Sequence, residues 1–396
     1  MKNIFVTILL LQFINLAYSQ NFDLTGDKYV IDSEALNETR DIWIGLPTNY
    51  DSTKSYPTMY VMDAEWQFDI SLAIMKELAA NDKIPSHIVI GIPHVDHKKR
   101  TKNLTFTTSE YASNGKQDSV AASYFNNENT AGGLAFYNYL KDEVVPLVDS
   151  KFNTNGFDVF IGHSLSGYYG AYILNMDSPF NAFQLYDPSV WYNHGDAIEH
   201  FSKTTSEKHS INVFISTANG GKDRAQYNVD THKKFHNLLI ANNVNSELKV
   251  YNEDHGSVRL VSLIDGLSNL YKGYSIGYIS ATDTITVQYA EKHYKEFSEK
   301  VNYTFETPAD TYRWIGFANH FQGKWDKAIE AYKLCSSLYS VDVNLLIEFA
   351  DSYFQTKEYQ LSLDMYTKAL ALDQSNESVG LRIEELKQLT TKSKRH

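Results

Sequence analysis

The chain of 396 residues contains very little cysteine and no excess of basic residues. Its one cysteine, Cys335, excludes an intramolecular disulfide, so the stability of the fold must come from packing. Lysine and arginine total 36 against 48 acidic residues, which gives a formal net charge of −12. Because nucleic acids and anionic membranes bind concentrated positive charge, we expect neither as a partner.

An apolar run long enough to cross a bilayer is also missing from the sequence. Residues 1–19 combine a basic residue, a short apolar centre and the small-residue pattern Ala17-Tyr18-Ser19. This pattern is typical of a cleavable signal peptide and predicts a mature chain that starts at Gln20. The protein is therefore expected to be secreted or periplasmic, with an uncleaved anchor as the alternative.

The stretch around Ser164 carries the strongest functional signal. Residues of strand character, Phe157–Ile161, lead into Gly162-His-Ser-Leu-Ser-Gly167, and a helix-compatible run follows. A strand, a sharp turn with serine at its apex and a helix form a nucleophile elbow, which exposes the hydroxyl at the carboxyl edge of a parallel sheet. A serine in an ordinary strand-to-helix turn is the alternative reading.

A candidate general base, His255, follows the strand-like residues Glu247–Tyr251. An enzyme with the chain order serine, acid, histidine places its base in the loop after a late strand of the sheet. The chain has 13 histidines, so the position after a strand carries this prediction, and a surface loop histidine is the alternative.

These two segments resemble the Putative esterase family of α/β-hydrolases, which includes siderophore-ester hydrolases, formylglutathione hydrolases and mycolyl transferases. The resemblance extends from Asp27 to Tyr274 and implies a serine hydrolase that acts on a small-molecule ester without a cofactor or metal. Family members carry glycine where Ala64 and Ser166 stand, so the oxyanion hole departs from the family pattern here. The stretches that carry the resemblance are Tyr60–Ala64, Val89–Pro93, Ile161–Gly167, Asp187–Trp191 and Glu253–Val258.

The oxyanion hole that the resemblance implies is formed by backbone N–H groups. One would come from Leu165, which follows the nucleophile, and the other from Ala64 or Glu65. Helix-forming residues follow both positions.

The acid of the triad is the least determined member. We expect it after the strand Ile211–Thr217, with Asp223 as the first candidate and Asp230 as the second. Asp254 is nearer to the base in sequence but would have to fold back on its neighbour. A Ser–His dyad without an acid stays open.

Arg100 and Trp191 are candidates for substrate binding. The polar segment 96–130 lacks periodicity and is expected to form a lid, from which Arg100 would pair with an anionic part of the substrate. Trp191 would form an apolar wall on the catalytic rim. A solvated arginine and a packed aromatic are the respective alternatives. His94 and His97 are not completed by further ligands in a metal-binding pattern, so we predict no metal site.

Strand and helix patterns alternate from Pro57 to Tyr271, after an antiparallel pair of strands. This predicts an α/β fold, an α/β-hydrolase with a mostly parallel central sheet, in which ligands bind beyond the carboxyl ends of the strands.

A small all-α region with a different pattern follows. Trp325, Ala328 and Tyr332 recur as Tyr359, Ser362 and Tyr366 at the tetratricopeptide period of about 34 residues. Two units are few for a free-standing array, so we expect them to pack on the hydrolase or on the helix Val287–Glu299. The predicted divisions are a signal peptide (1–19), an esterase domain (20–278), a connecting helix (279–306) and tetratricopeptide-like repeats (307–396).

Taken together, these patterns predict a secreted or periplasmic serine esterase that forms an acyl-enzyme intermediate. Two alternatives stay open: an acyltransferase that uses the same residues, and a catalytically silent scaffold whose repeats recruit a protein or peptide. For the repeats we favour a structural buttress over a binding groove. The sequence does not indicate which ester is the substrate.

Overall fold

The computed structural model of the chain describes residues 26–203, 211–220, 225–338 and 342–393. The predicted signal peptide and Asp223 lie outside these described residues.

A single sheet of eight strands organises the first two thirds of the described chain. In chain order the strands are β1 (Asp27–Ser33), β2 (Glu38–Gly45), β3 (Tyr56–Met62), β4 (Ile88–Ile92), β5 (Thr154–His163), β6 (Ala182–Tyr186), β7 (Asn212–Ala218) and β8 (Asn245–Tyr251). They lie side by side in the order β1-β2-β4-β3-β5-β6-β7-β8. The first two pairs, β1–β2 and β2–β4, are antiparallel and the others are parallel, which confirms the predicted α/β class.

Helices cover the sheet and then continue alone to the end of the described chain. Those of the sheet region are α1 (Ala64–Ala80), α2 (His97–Asn103), α3 (Ser119–Tyr124), α4 (Gly133–Asn138), α5 (Val145–Lys151), α6 (Leu165–Ile173), α7 (Asp196–Ser202), α8 (Ala225–Ala241) and α9 (Val258–Leu270). A π-helical turn, Tyr139–Val144, joins α4 to α5. The later helices are α10 (Val287–Val301), α11 (Ala309–Phe321), α12 (Trp325–Leu338), α13 (Val343–Gln355), α14 (Tyr359–Leu372) and α15 (Glu377–Ser393).

Strand β3 shows why both faces of the sheet must be covered. Every residue of this strand is buried. Successive side chains of a strand point to opposite faces, so Tyr60 and Met62 join one apolar core while Met59 and Val61 join the other. A strand that is apolar on both faces is stable only between two layers of helices, and this places its carboxyl end, rather than a face, at the surface.

The segment 96–130, expected to be an aperiodic lid, contains two short helices. Asp96 caps α2 by accepting a hydrogen bond from the Lys99 N–H, and Asp118 caps α3 in the same way through the Ala121 N–H. These aspartate caps stabilise helices too short to show an apolar period, which is why the sequence pattern missed them.

Helix α10 joins the sheet region to the helical region. Phe297 and Val301 pack in one core with Phe157 of β5, whereas Val287 and Ala290 pack in another with helices α11, α12 and α13. The carboxyl-terminal helices are thus anchored on the sheet region through α10. The division of the chain at residues 278 and 306 and the tetratricopeptide assignment stay predictions. Within the described ranges, no helix has both the length and the apolarity needed to traverse a bilayer.

Candidate active site

Ser164 lies in a strained turn between β5 and α6. Its backbone angles are φ 60° and ψ −118°, a conformation that a serine rarely adopts. The turn is held by its neighbours: the Ser164 N–H donates to the Tyr186 carbonyl at 3.0 Å, and the Ser164 carbonyl accepts the Ser189 N–H at 2.8 Å. Strand and helix approach so closely that a Cβ at Gly162 would lie 2.5 Å from the Ser166 carbonyl oxygen. This is the geometry of a nucleophile elbow.

His255 reaches Ser164 from the loop between β8 and α9. Its Nε2 lies 2.9 Å from the Ser164 Oγ, so the two groups predicted from the sequence are within hydrogen-bonding distance. The neighbouring His163 fixes this loop, because its Nε2–H donates to the His255 carbonyl at 2.6 Å. Burial, followed by the proximity of His255, lowers the pKa of His163 to about 4, so His163 is a neutral support.

The carboxylate on the other side of His255 belongs to Asp187. Its Oδ2 lies 2.5 Å from the His255 Nδ1, and its Oδ1 accepts the Ala218 N–H at 3.1 Å. Burial favours a raised pKa for Asp187, but the hydrogen bond from His255, the nearby His232 and the Ala218 N–H outweigh it, so the pKa is lowered. Asp187 is therefore ionised near neutral pH and can hold the imidazole with its Nδ1–H toward the carboxylate.

Of the acids considered from the sequence, Asp230 and Asp254 form hydrogen bonds to other groups, and only these two lie within the described residues. Asp223 lies outside them. Asp230 accepts a hydrogen bond from Gln226 one turn earlier in α8, and Asp254 accepts the N–H groups of Gly256 and Ser257. The acid beside His255 thus follows β6 rather than β7. The available signal was an aspartate at the carboxyl end of a buried strand, in a stretch that already resembled the family.

The two residues predicted to form the oxyanion hole, Leu165 and Ala64, both lie at the start of a helix. Leu165 begins α6 and Ala64 begins α1, and the first N–H groups of a helix have no acceptor within the helix. Asp63, just before Ala64, adopts left-handed angles of φ 54° and ψ 47°, which turn the chain sharply from β3 into α1. The methyl group of Ala64, where the resembling family carries glycine, is buried in the core with Phe68.

Ser166, the other departure from glycine, connects the elbow to this turn. Its hydroxyl donates to Asp63 Oδ2 at 2.8 Å and accepts the His163 N–H at 2.9 Å. Asp63 in turn binds Arg100 through two contacts, Nε to Oδ1 at 2.5 Å and Nη2 to Oδ2 at 2.9 Å. The Arg100 side chain is only 16% exposed. Arg100, expected to pair with a substrate anion, forms an ion pair with a carboxylate of the protein and lines the cavity that contains Ser164.

Replacing Asp63 with asparagine should destabilise the fold strongly. The substitution leaves Arg100 nearly buried without its counter-charge, and breaking a buried ion pair costs about 3–5 kcal/mol. Urea denaturation measures this as a fall in the free energy of unfolding. A matched control is Glu384→Gln, which breaks an exposed pair with Lys387 and should cost less than about 1 kcal/mol. Equal effects of the two substitutions would contradict a structural role for the Asp63–Arg100 pair.

The same pair predicts a dependence of stability on pH. Burial raises the pKa of Asp63. Arg100, His94 and Ser166 lower it by more than burial raises it, so the folded pKa lies below the ordinary value of 3.8. The stabilisation is therefore complete above that ordinary value and is lost as pH falls through the folded pKa. The Asp63→Asn protein should show less of this acid-induced loss.

A cavity of 290 Å³ opens beside Ser164 and His255. Trp191, predicted as an apolar wall, is 7% exposed and is not among the lining residues. Within the described ranges, no group of three or more potential ligands forms a metal site. The residues that line the cavity are Asp63, Trp66, Gln67, His97, Arg100, His163, Ser164, His255 and Arg259.

Several solved structures share this architecture. An IroE-like serine hydrolase from Shewanella oneidensis is 23% identical with a TM-score of 0.67, and the match covers 79% of this chain and 99% of that one. An uncharacterised protein from Capnocytophaga ochracea is 15% identical with a TM-score of 0.57, covering 91% and 99%. The siderophore hydrolase EstA from Aspergillus nidulans is 18% identical with a TM-score of 0.53, covering 64% and 97%. At these sequence identities the similarity shows that the fold is shared, and it carries no conclusion about function.

Comparison with curated protein sequences gave no significant match. Comparison with family descriptions was decisive, since residues 33–256 match the family described as Putative esterase. The match spans more than half of the chain and includes Ser164, Asp187 and His255. The chain therefore belongs to the Putative esterase family and is an ester-hydrolysing serine hydrolase.

Proposed function

We propose that this protein hydrolyses a carboxylic ester through a catalytic triad of Ser164, His255 and Asp187. The observation that carries the proposal is the bridging position of His255, with Nε2 at 2.9 Å from the Ser164 Oγ and Nδ1 at 2.5 Å from the Asp187 Oδ2. A nucleophile, a base and a group that orients the base thus stand in one line, as nucleophilic catalysis requires.

The first half of the proposed reaction forms an acyl-enzyme. As the Ser164 Oγ bonds to the ester carbonyl carbon, its proton passes to the His255 Nε2. The carbonyl oxygen becomes an oxyanion held by the N–H groups of Leu165 and Ala64. When the tetrahedral intermediate collapses, the bond between the carbonyl carbon and the alcohol oxygen breaks. The alcohol oxygen takes the proton from His255 and leaves.

The second half releases the acid. A water molecule gives a proton to the His255 Nε2 while its oxygen bonds to the acyl carbon. The bond from that carbon to the Ser164 Oγ then breaks, and the proton returns to the serine. Asp187 keeps the imidazole oriented and stabilises the imidazolium in both halves without itself being protonated. The chemistry of these steps needs only the side chains and N–H groups named here.

Covalent labelling of Ser164 tests the proposal. A fluorophosphonate should modify the full chain with a stoichiometry of one, and peptide mass spectrometry should locate the adduct on Ser164, because only an activated serine attacks phosphorus readily. Ser164→Ala is the matched control and should remain unlabelled. A folded wild-type protein that stays unlabelled would favour a catalytically silent scaffold instead.

The fold does not identify the substrate class, so a screen of candidate esters is needed. Small acyl esters, plant-wall esters and siderophore trilactones all suit a secreted hydrolase, and one structural neighbour is named as a siderophore hydrolase. We therefore propose that hydrolysis rates be compared across acyl chain lengths and siderophore esters.

For the rest of the chain we propose the organisation that the sequence predicts. Residues 1–19 would direct secretion or transport to the periplasm, 20–278 would form the esterase domain, and 307–396 would form tetratricopeptide-like repeats joined to it by 279–306. The 34-residue pattern is supported by the burial of its small and aromatic positions, since Ala328, Tyr332, Ser362 and Tyr366 are all buried. Shared core packing through α10 favours a buttress.

A further inference from the structure

The charged side chains that line the cavity beside Ser164 include one more cation than anion. Its lining includes the charged groups of Asp63, Arg100 and Arg259. Asp63 and Arg100 neutralise each other through their two short contacts. One positive charge, that of Arg259, is left in the cavity of a chain whose formal net charge is −12. A cation kept beside the nucleophile of a strongly acidic protein points to an anionic ligand.

The hydrogen bonds of Arg259 hold its guanidinium at the cavity without neutralising it. Its Nε donates to the Gly256 carbonyl at 3.1 Å, and its Nη1 donates to the Trp66 carbonyl at 2.9 Å. Arg259 forms no ion pair with any of the described residues. A guanidinium has five N–H donors, so two bonds to carbonyls fix its position and leave donors for a ligand.

Trp66 supplies a flat apolar surface beside this cation. Trp66 is 51% exposed, so about half of its surface is open to a ligand. The His97 ring stacks on the indole with centroids 5.7 Å apart, and the Arg100 guanidinium lies 5.6 Å from its centre, so these two contacts position the indole and leave its exposed part for a ligand. An exposed aromatic surface at a cavity that contains the nucleophile is suited to an aromatic ring of a substrate.

We propose that Trp66 and Arg259 form a subsite for an ester whose aromatic ring carries a carboxylate, with the ring on Trp66 and the carboxylate on Arg259. The proposal rests on the proposed function, because it places the anion within the cavity that contains Ser164. It assigns anion recognition to Arg259 rather than to Arg100, whose charge Asp63 already satisfies.

The test is the preference of the full chain between two matched esters, 4-acetoxybenzoate and its neutral analogue 4-acetoxybenzamide. The wild type should have the higher kcat/KM for the carboxylate. A hydrogen-bonded charge contact is worth roughly a 10- to 100-fold change, so Arg259→Gln should lower the ratio of the two kcat/KM values by about that factor. Arg259→Lys, which keeps the charge but loses the planar fork, should give an intermediate ratio.

The ratio of the two kcat/KM values distinguishes recognition of the carboxylate by Arg259 from a structural effect of the substitution. Arg259 also ties the His255 loop to α1, so its loss slows both esters together, whereas only recognition of the anion changes their ratio. The matched control is Arg382→Gln in α15. Arg382 pairs with Glu385, and its substitution should leave the ratio of the two kcat/KM values at the wild-type value. Trp66→Ala should raise KM for both aromatic esters and leave the preference for the anion in place.

Failure of this inference differs from failure of the proposed function. Hydrolysis of both esters with the same ratio in wild type and Arg259→Gln would overturn the subsite and uphold the esterase. If neither ester is hydrolysed and Ser164 stays unlabelled, the proposed function fails. Calorimetry with 4-hydroxybenzoate and 4-hydroxybenzamide then decides the subsite: binding of the carboxylate that Arg259→Gln abolishes supports it, and equal or absent binding of both overturns it.

Discussion

Replacing Ser164 with alanine should lower kcat for ester hydrolysis by about 10⁶-fold, and His255→Ala should have an effect of the same size. The serine hydroxyl is the proposed nucleophile, so its loss should remove the acyl-enzyme route entirely. Without His255, the hydroxyl has no group at 2.9 Å to accept its proton. Initial rates on the best ester from the screen, with enzyme in large excess for the weak variants, measure both effects.

The control for these substitutions is Ser336→Ala. Ser336 lies in α12, and its hydroxyl donates to the Lys333 carbonyl in the previous turn of the same helix. This variant should retain wild-type kcat. A Ser164→Ala or His255→Ala protein that folds normally and keeps more than a few per cent of the activity would contradict the assignment of that residue.

Asp187→Asn should lower kcat by about 10⁴-fold. An amide in place of the carboxylate can donate to the His255 Nδ1 and so favours the tautomer with the proton on Nε2, which cannot accept the serine proton. The substitution preserves the size of the side chain, so the burial around position 187 is maintained. Steady-state kinetics measure the loss, and a thermal melt shows whether the variant is folded.

Asp230→Asn and Asp223→Asn test the proposed acid, Asp187, against the acids predicted from the sequence. Asp230 is bound to Gln226 on α8, so its substitution should leave kcat close to that of the wild type. If Asp187 is the acid, Asp223→Asn should also remain active. An active Asp187→Asn protein, together with an inactive Asp223→Asn protein, would instead restore the acid after β7.

The sequence predicted the parts of the site that depend on local geometry. The elbow at Ser164 requires a strand, small residues and a helix in immediate succession, and all of these are visible in one stretch. His255 is likewise marked by its position after a strand. Asp187 was missed because parallel strands all end at the same edge of the sheet, and spacing along the chain does not tell which loop reaches the imidazole.

The role of Arg100 was not evident in the sequence for a related reason. Its partner, Asp63, is 37 residues earlier in the chain and meets it only because α2 passes over the end of β3. Arg259 was not singled out, because its lack of a carboxylate partner is visible only in three dimensions. Long-range pairing of charges thus decides which arginine is available to a ligand, and sequence pattern carries little information about it.

The fold was easier to predict from the sequence than the pairing of charged side chains. Buried strands such as β3 are continuous apolar runs between turns, so their number and order along the chain could be inferred from the pattern. The antiparallel start and the parallel remainder of the sheet also matched expectation. The short helices α2 and α3 were missed because each is stabilised by a capping hydrogen bond, which produces no apolar periodicity in the sequence.

The central claim is that Asp187 acts through His255 on Ser164, and the double variant His255→Ala/Asp187→Asn tests it most directly. If Asp187 serves only to orient and stabilise the imidazole, its substitution should have no further effect once the imidazole is absent. We predict that kcat of the double variant equals that of His255→Ala. A further loss approaching the 10⁴-fold effect expected for Asp187→Asn alone would show that Asp187 acts independently and would contradict the triad.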